Sequence, residues 1–302
     1  MVESDKHGAK GMGQGLNEDE RLLAFTDANS MFRSGALGAL LRHFADPDVG
    51  GVCGRLQLVS PTHPCDDAGT LSDKHTHTPA YASPEGYYWN WENWLKQKES
   101  DVDSCLGANG AIYAIRRELF WSEIPDSTIV DDFVLGMKVR ESGRRMIYEP
   151  GAVAEEDIPM VSDEWDRRVR IGAGDYQALW LCRRCLVPRY GWFAWMFASH
   201  KAFRWFTPQI LVLLFAASWL LAWSDTGGVP GIPRTLPLAG LSLVVAAGAV
   251  GAVASKFRWR ALRLFVLCDH FLTMQAALFV GFIRFCRGGL SGSWRRTPRG
   301  VD

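Results

Sequence analysis

Two uncharged apolar runs, Phe206–Trp223 and Leu236–Ala254, constrain this chain more than any other feature. Each has about 18–20 residues, long enough for a helix to cross the hydrocarbon core of a bilayer. Ala246, Ala247, Gly248, Ala249 and Gly251 in the second run suit close helix packing in lipid. A third run, Leu264–Ile283, is similar in length but carries Asp269 and His270. Of the 13 Trp residues, Trp192, Trp195, Trp205, Trp219 and Trp223 gather where the apolar part begins. Indole collects at bilayer interfaces because its ring is apolar while its N–H stays wet. Pro188–Trp205 is therefore predicted to be an amphipathic interface helix, anchored by Trp192, Phe193, Trp195 and Phe197, with Lys201 and Arg204 toward the headgroups. Membrane lipid is an expected partner.

Charge sets the expected orientation. The connection after the second run holds Lys256, Arg258, Arg260 and Arg263, whereas the one before it holds a single Arg and a single Asp. Positive loops stay in the cytosol, which places the polar N-terminal part there too. The expectation is a multi-pass protein of the inner (plasma) membrane. The tail, with Arg287, Arg295, Arg296 and Arg299, also prefers the cytosol, and three complete spans would forbid that. Either Leu264–Ile283 is re-entrant or interfacial, or the charge rule fails here.

The 302 residues divide in composition near residue 190, predicting a cytosolic domain over 1–187 and a membrane region over 188–302. With 33 basic and 33 acidic residues, the chain offers no general attraction for nucleic acid. Met1–Lys10 is polar and unlike a signal peptide. The Cys182/Cys185 pair has no second C-x-x-C to complete a metal site, so the cysteines are read as reduced and structural. Polar groups in the apolar runs are almost confined to Asp269, His270 and Gln275, which argues against a transporter.

In the polar part, Leu22–Thr26 reads as a buried strand ending at Asp27-Ala28-Asn29. Ser34 is placed to cap a helix over Gly35–Ala45, and Val49–Val59 reads as the next strand. Strand, helix and strand at this spacing predict a parallel α/β sheet. A Pro-, Thr-, His- and Asp-rich loop (60–84) precedes an aromatic helix near Tyr87–Lys98. Then come a Gly107–Gly110 turn, a strand at Ala111–Ile115, a helix at Val130–Glu141 with Gly143 at its C-terminus, a strand at Arg145–Tyr148 and a helix at Asp163–Leu181.

Three constellations carry possible chemistry. Asp27 and Asn29 lie where open α/β sheets bind ligands, and such oxygens can hold Mg²⁺ or Mn²⁺ against a diphosphate; a turn or helix cap is the plain alternative. Asp131 and Asp132 open a helix, where acids are stabilising anyway, but two adjacent carboxylates exceed what capping needs and one can act as a base. Arg167, Arg170 and Gln177 can share a helix face that meets phosphate oxygens, or anionic lipid instead. His63, Cys65, His75 and His77 form a weaker zinc candidate, since H-x-H in a Pro-Thr loop does not imply tetrahedral convergence. A mobile acceptor-side loop is the preferred reading there.

In order and spacing, these elements resemble the family-2 glycosyltransferases of cell-surface polysaccharide and glycolipid synthesis, from about Leu22 to Arg299. FTDANS (Phe25–Ser30) is similar to the family's D-x-D segment, with Asn29 in place of the second Asp. LGANGAIYAIRRELF (Leu106–Phe120) resembles the acceptor-side Gly-rich turn followed by Arg. VDDF (Val130–Phe133) resembles the motif whose second acid, here Asp132, is the base. EWDRRVRI (Glu164–Ile171) stands where the family has Q-x-x-R-W; Arg170 matches the Arg, while Arg167 replaces the Gln and Ile171 the Trp. The complete motif accompanies processive synthases, so processive extension is not implied. GSWRRTPR (Gly292–Arg299) resembles the juxtamembrane tail.

The resemblance implies an incomplete doubly wound, GT-A-like sheet domain followed by the interface helix and two to three C-terminal transmembrane helices. It implies inverting transfer from a nucleotide sugar, a UDP-linked hexose or N-acetylhexosamine, to a saccharide or lipid-linked acceptor. In that scheme Asp27 and Asn29 hold the divalent metal, Asp132 with Asp131 beside it supplies the base, Arg170 and Arg167 face the donor diphosphate, and Gly107, Ala108, Asn109 and Gly110 flank the acceptor. One departure stands out. The family has a longer stretch ahead of D-x-D, holding the strands that bind base and ribose, and only 26 residues precede Asp27 here. The chain is thus read as N-terminally truncated, with Lys6–Leu16 as the remainder of that half, an uncovered sheet edge at Leu22–Thr26 and weakened donor binding. The alternative reading is a catalytically incomplete remnant or partner subunit of a polysaccharide synthase.

Overall fold

The computed structural model describes residues 2–5, 21–60, 78–79, 84–157, 164–223, 235–256, 263–288 and 290. Lys6–Leu16, the His63, Cys65, His75 and His77 set, Arg258 and Arg260, and the Gly292–Arg299 tail lie outside these residues. The chain forms two compact units: one from Met1–Val161, Ala178–Ser199 and Pro298–Asp302, the other from Ser162–Gln177 and His200–Thr297.

The first unit is built on a seven-stranded sheet. Its strands are β1 (Val2–Asp5), β2 (Arg21–Phe25), β3 (Met31–Phe32), β4 (Val49–Ser60), β5 (Thr78–Pro79), β6 (Tyr113–Arg116) and β7 (Arg145–Asp157). The order is β1-β2-β6-β4-β7-β3, with β5 paired to β4. The expected all-parallel, doubly wound sheet is not what forms. Among the described strands only β4 and β7 run parallel; β6 enters antiparallel between β2 and β4, and β1 and β3 are antiparallel edges. The spacing rule failed because it tracks sequential elements, whereas β6 inserts between two strands that precede it in the chain. The expected open edge at Leu22–Thr26 is also corrected: Val2–Asp5 pairs with Ala24–Arg21 and satisfies that side of the ladder.

Burial explains why β2 reads as a continuous apolar run. Leu22 and Ala24 face a core with Leu40, Phe44, Val52, Ile112 and Ala114, while Leu23 faces a second core with Cys53, Tyr113, Ile115 and Met146. Side chains alternate along a strand, so a strand covered on both faces is apolar throughout. Each fully buried large side chain, such as Phe44, stabilises by about 1.5–3 kcal/mol. Helix α1 (Ala36–Leu41) and a following 3₁₀ turn (Arg42–Ala45) cover the first core. Their start corrects the Ser34 cap: Gly35 occupies the cap with φ +82°, and no side chain bonds the first turn.

Helices α2 (Pro84–Val102) and α3 (Asp131–Glu141) complete the sheet unit. The α3 helix ends as predicted, with Gly143 at φ +95° just beyond its cap. Helix α4 (Glu164–Leu181) belongs to the second unit as far as Gln177.

The interface segment departs from a single amphipathic helix. It consists of a 3₁₀ turn at Pro188–Tyr190, α5 (Trp192–Met196), a π-helical stretch at Phe197–Ala202 and α6 (Phe203–Trp205). Trp192 and Trp195 are exposed as expected, but Phe193, Phe197, Lys201 and Trp205 are buried. Counting anchors by residue type missed this because Phe193 and Phe197, four residues apart, form the inner stripe of the segment.

In the second unit, α7 (Thr207–Trp223), α8 (Leu236–Lys256) and α9 (Arg263–Arg287) follow. Leu236–Ala254 and Leu264–Arg287 are each long and apolar enough to cross a membrane, with mean hydropathies of 2.1 and 1.6. The α7 helix reaches that length only when joined across a bend to Trp192–Trp205. The third apolar run is thus one continuous helix despite Asp269 and His270. The small residues of α8 act as expected: a side chain on Gly251 would collide with the Phe265 carbonyl, and one on Gly248 with Leu272.

Candidate active site

The site assembles where β2 ends. Thr26 follows β2 and donates through Oγ1 to the Ala111 carbonyl at 3.1 Å, tying the strand end to the Gly107–Gly110 turn. Phe25 stacks on Tyr113, with ring centroids 4.6 Å apart and planes 6° from parallel. The chain then turns at Asp27–Ser30, where the Ser30 N–H donates to the Asp27 carbonyl at 3.1 Å. Asp27 and Asn29 share this turn.

Gly110 brings the second piece against the first. A Cβ there would sit 2.7 Å from Oδ2 and 3.0 Å from Oδ1 of Asp27, so only Gly lets the carboxylate lie on this turn. Gly107 has φ +72°, and a side chain on it would strike the Phe133 ring. The turn therefore touches Asp27 at one end and the start of α3 at the other. Asn109 faces inward: its amide donates to the Gly54 carbonyl at 2.8 Å and its oxygen accepts from the Ile112 N–H at 3.2 Å. Arg116, the arginine after the turn, is likewise committed to the Val49, Phe44 and Asp46 carbonyls at 2.8, 2.9 and 3.0 Å.

Asp131 and Asp132 form the first turn of α3. Asp132 Oδ1 accepts from the Phe133 N–H at 2.7 Å. Burial nevertheless dominates and pushes its pKa up to about 6; Asp131 and Asp27 add to the rise, while the Phe133 N–H and Lys96 oppose it. Asp27 is also raised, by burial of its carboxyl and by Asp131. The Tyr113 hydroxyl is raised chiefly by burial and then by Asp132, Asp131 and Asp27. Three carboxylates from two distant stretches thus act on each other and on one tyrosine.

Arg167 and Arg170 lie on the part of α4 that belongs to the second unit, one turn apart and both partly buried. The sheet unit brings together Asp27, Asn29, Asp131, Asp132 and the Gly107–Gly110 turn. Sequence reasoning missed Tyr113 and Lys96. Lys96 had a readable signal: Glu92, Lys96 and Glu99 recur at helical spacing and all three are buried, so a charged stripe faces inward on α2.

Among the described residues, no group of three His, Cys, Asp or Glu side chains is placed to hold a metal by itself. The donor set at the Asp27 turn suits a different mode. Magnesium and similar hard ions are often held by one or two carboxylates together with substrate phosphates. An Asp27 carboxylate crowded by Asp131 is an oxygen donor that a cation would relieve. The residues fit an ion shared with a diphosphate.

The fold is similar to that of a glycosyltransferase. A mannosyltransferase from Pyrobaculum calidifontis, solved in complex with GDP-Man and Mn²⁺, is similar to this chain with a TM-score of 0.51 and 20% sequence identity. The match covers 88% of this chain and 62% of that one, so this chain spans less than two thirds of the neighbour's length. No protein-family model matches the sequence, and no curated protein does.

Proposed function

We propose that the protein is an inverting glycosyltransferase of family-2 type, moving a sugar from a nucleotide sugar to a saccharide or lipid-linked acceptor at the cytosolic face of the plasma membrane. The observation that carries this reading is the placing of the Gly107–Gly110 turn. It lies against Asp27 at one end and against the start of α3, which holds Asp131 and Asp132, at the other, where burial pushes the Asp132 pKa up to about 6. A base whose pKa lies close to the working pH combines availability with proton affinity.

The reaction is a single displacement. An acceptor hydroxyl attacks the anomeric carbon, its proton passes to Asp132, and the bond to the diphosphate breaks with the electron pair leaving on the nucleotide. Asp27, with Asn29, would hold a divalent ion, Mg²⁺ or Mn²⁺, which supplies positive charge against the departing diphosphate. The sequence resemblance would give Arg170, with Arg167, the role of countering the diphosphate's charge. The backbone at Gly107, Ala108 and Gly110 walls the acceptor side, and Asn109 latches that wall to β4. The fold of the neighbour and the D-x-D-like segment support a nucleotide-sugar donor; the sequence resemblance favours a UDP-hexose or UDP-N-acetylhexosamine.

The test is a donor screen on the intact protein in lipid nanodiscs, with the product's anomeric configuration read by NMR. A transferred sugar of inverted configuration is expected. A retained configuration would exclude the single displacement. Donor binding without transfer under any acceptor would favour the partner-subunit alternative, which the Asn at position 29 motivates.

A further inference from the structure

Two of the charged side chains on the inner face of α2, Lys96 and Glu99, grip the active-site turn by its backbone. Lys96 Nζ donates to the carbonyls of Leu106 and Gly107 at 3.2 and 2.9 Å. One helical turn further on, Glu99 accepts the Leu106 N–H at 3.0 Å. Leu106 is thus held at both its N–H and its carbonyl, as a neighbouring strand would hold it, although no strand runs there. On its other side the same segment is tied to β7: the Cys105 N–H donates to the Met146 carbonyl at 2.8 Å, and Ser104 Oγ donates to that carbonyl at 2.9 Å. Lys96 and Glu99 are 4% and 1% exposed. Burying two ions carries a large desolvation cost, and an apolar pair would usually pack there at least as stably. A charged pair in this place therefore calls for a role beyond stability.

We propose that Lys96 is a positioning residue for sugar transfer, with Glu99 completing a clamp that fixes Gly107–Gly110 between the Asp27 carboxylate and the Asp132 end of α3. The proposal rests on the function given above for Asp27 and Asp132. The clamped segment leads straight into Gly107, which packs against Phe133, and into Gly110, which lies against Asp27. A shift of the turn would reach the two carboxylates through these close approaches, at Phe133 beside Asp132 and at Asp27 itself. Burial opposes the charge on Lys96, but the ionisable groups around it, Cys53, Cys105, Glu92 and Glu99, raise its pKa. The same charge also favours the ionised form of Asp132.

Lys96→Met keeps the aliphatic stem and removes the ammonium. In the intact protein in nanodiscs, amide hydrogen exchange over Leu106–Gly110 is expected to quicken by about tenfold or more. The transfer kcat is expected to fall by about 10- to 100-fold, with the donor KM within about threefold of wild type. Lys96→Arg restores protection and part of kcat. A folded Lys96→Met protein with unchanged exchange or wild-type kcat overturns the proposal. If Lys96→Met does not fold, Glu99→Gln takes its place, with the same changes expected at smaller size, and unchanged exchange or kcat again overturns it. The exchange reading needs no turnover. A wild-type protein that transfers no sugar therefore counts against the proposed function, while slow exchange lost in the variant still shows the clamp.

Discussion

Asp132→Asn is expected to lower the transfer rate by about 10²–10⁴-fold while leaving donor affinity nearly unchanged, because it removes proton acceptance and little else. Asn keeps an oxygen that can accept from the Phe133 N–H, so the local geometry of α3 survives. The same substitution is expected to stabilise the fold at neutral pH. A carboxyl whose pKa is raised on folding holds its proton more tightly in the native state, so stability declines as pH rises from the ordinary carboxylate range through about 6. Above that pH the native protein carries the cost of a buried charge, and Asn does not, a difference of about 1–3 kcal/mol. Loss of activity with a gain in thermal stability separates a functional carboxylate from a structural one. A variant within a few-fold of wild-type turnover would remove Asp132 from the base role and move attention to Asp131.

Asp27→Ala is expected to weaken metal-dependent donor binding by at least about 100-fold, which corresponds to about 2.7 kcal/mol. The turn itself should persist, since its bond from the Ser30 N–H uses the Asp27 main-chain oxygen, which Ala retains. Asn29→Asp is expected to act in the other direction, adding a second carboxylate for the ion. Titration calorimetry of the intact protein with a nucleotide sugar, in Mn²⁺ and in chelator, reads both. Equal donor affinity for wild type and Asp27→Ala, or no effect of chelator on wild type, would contradict the assignment of Asp27.

The carboxylates were legible in the sequence because each sits at an element boundary that pattern alone locates: Asp27 after LLAFT, Asp131 and Asp132 at the head of a helix. Their meeting was not legible. It depends on β6 inserting antiparallel beside β2, a long-range pairing that no local spacing encodes, and on Gly110 lying against Asp27. The sheet direction was misread for the same reason. The helical spacing of Glu92, Lys96 and Glu99 was visible but its direction was not, because charged residues on a helix usually mark its wet face and here the stripe points inward. Along the membrane-proximal segment, aromatic content correctly marked Trp192 and Trp195 as exposed, but the same logic misplaced Phe193 and Phe197. Hydrophobicity alone does not distinguish lipid from protein core.

The role of Asp132 as the base of a glycosyl transfer, with a pKa near 6, is tested most directly by the pH dependence of kcat/KM. With the intact protein in nanodiscs and a donor that it uses, the rate is expected to be flat from about pH 7 to 8. It should fall about tenfold per unit below a midpoint near 6, as Asp132 takes up its proton. A profile that stays flat down to pH 5, or a midpoint in the ordinary carboxylate range near 4, would contradict the account.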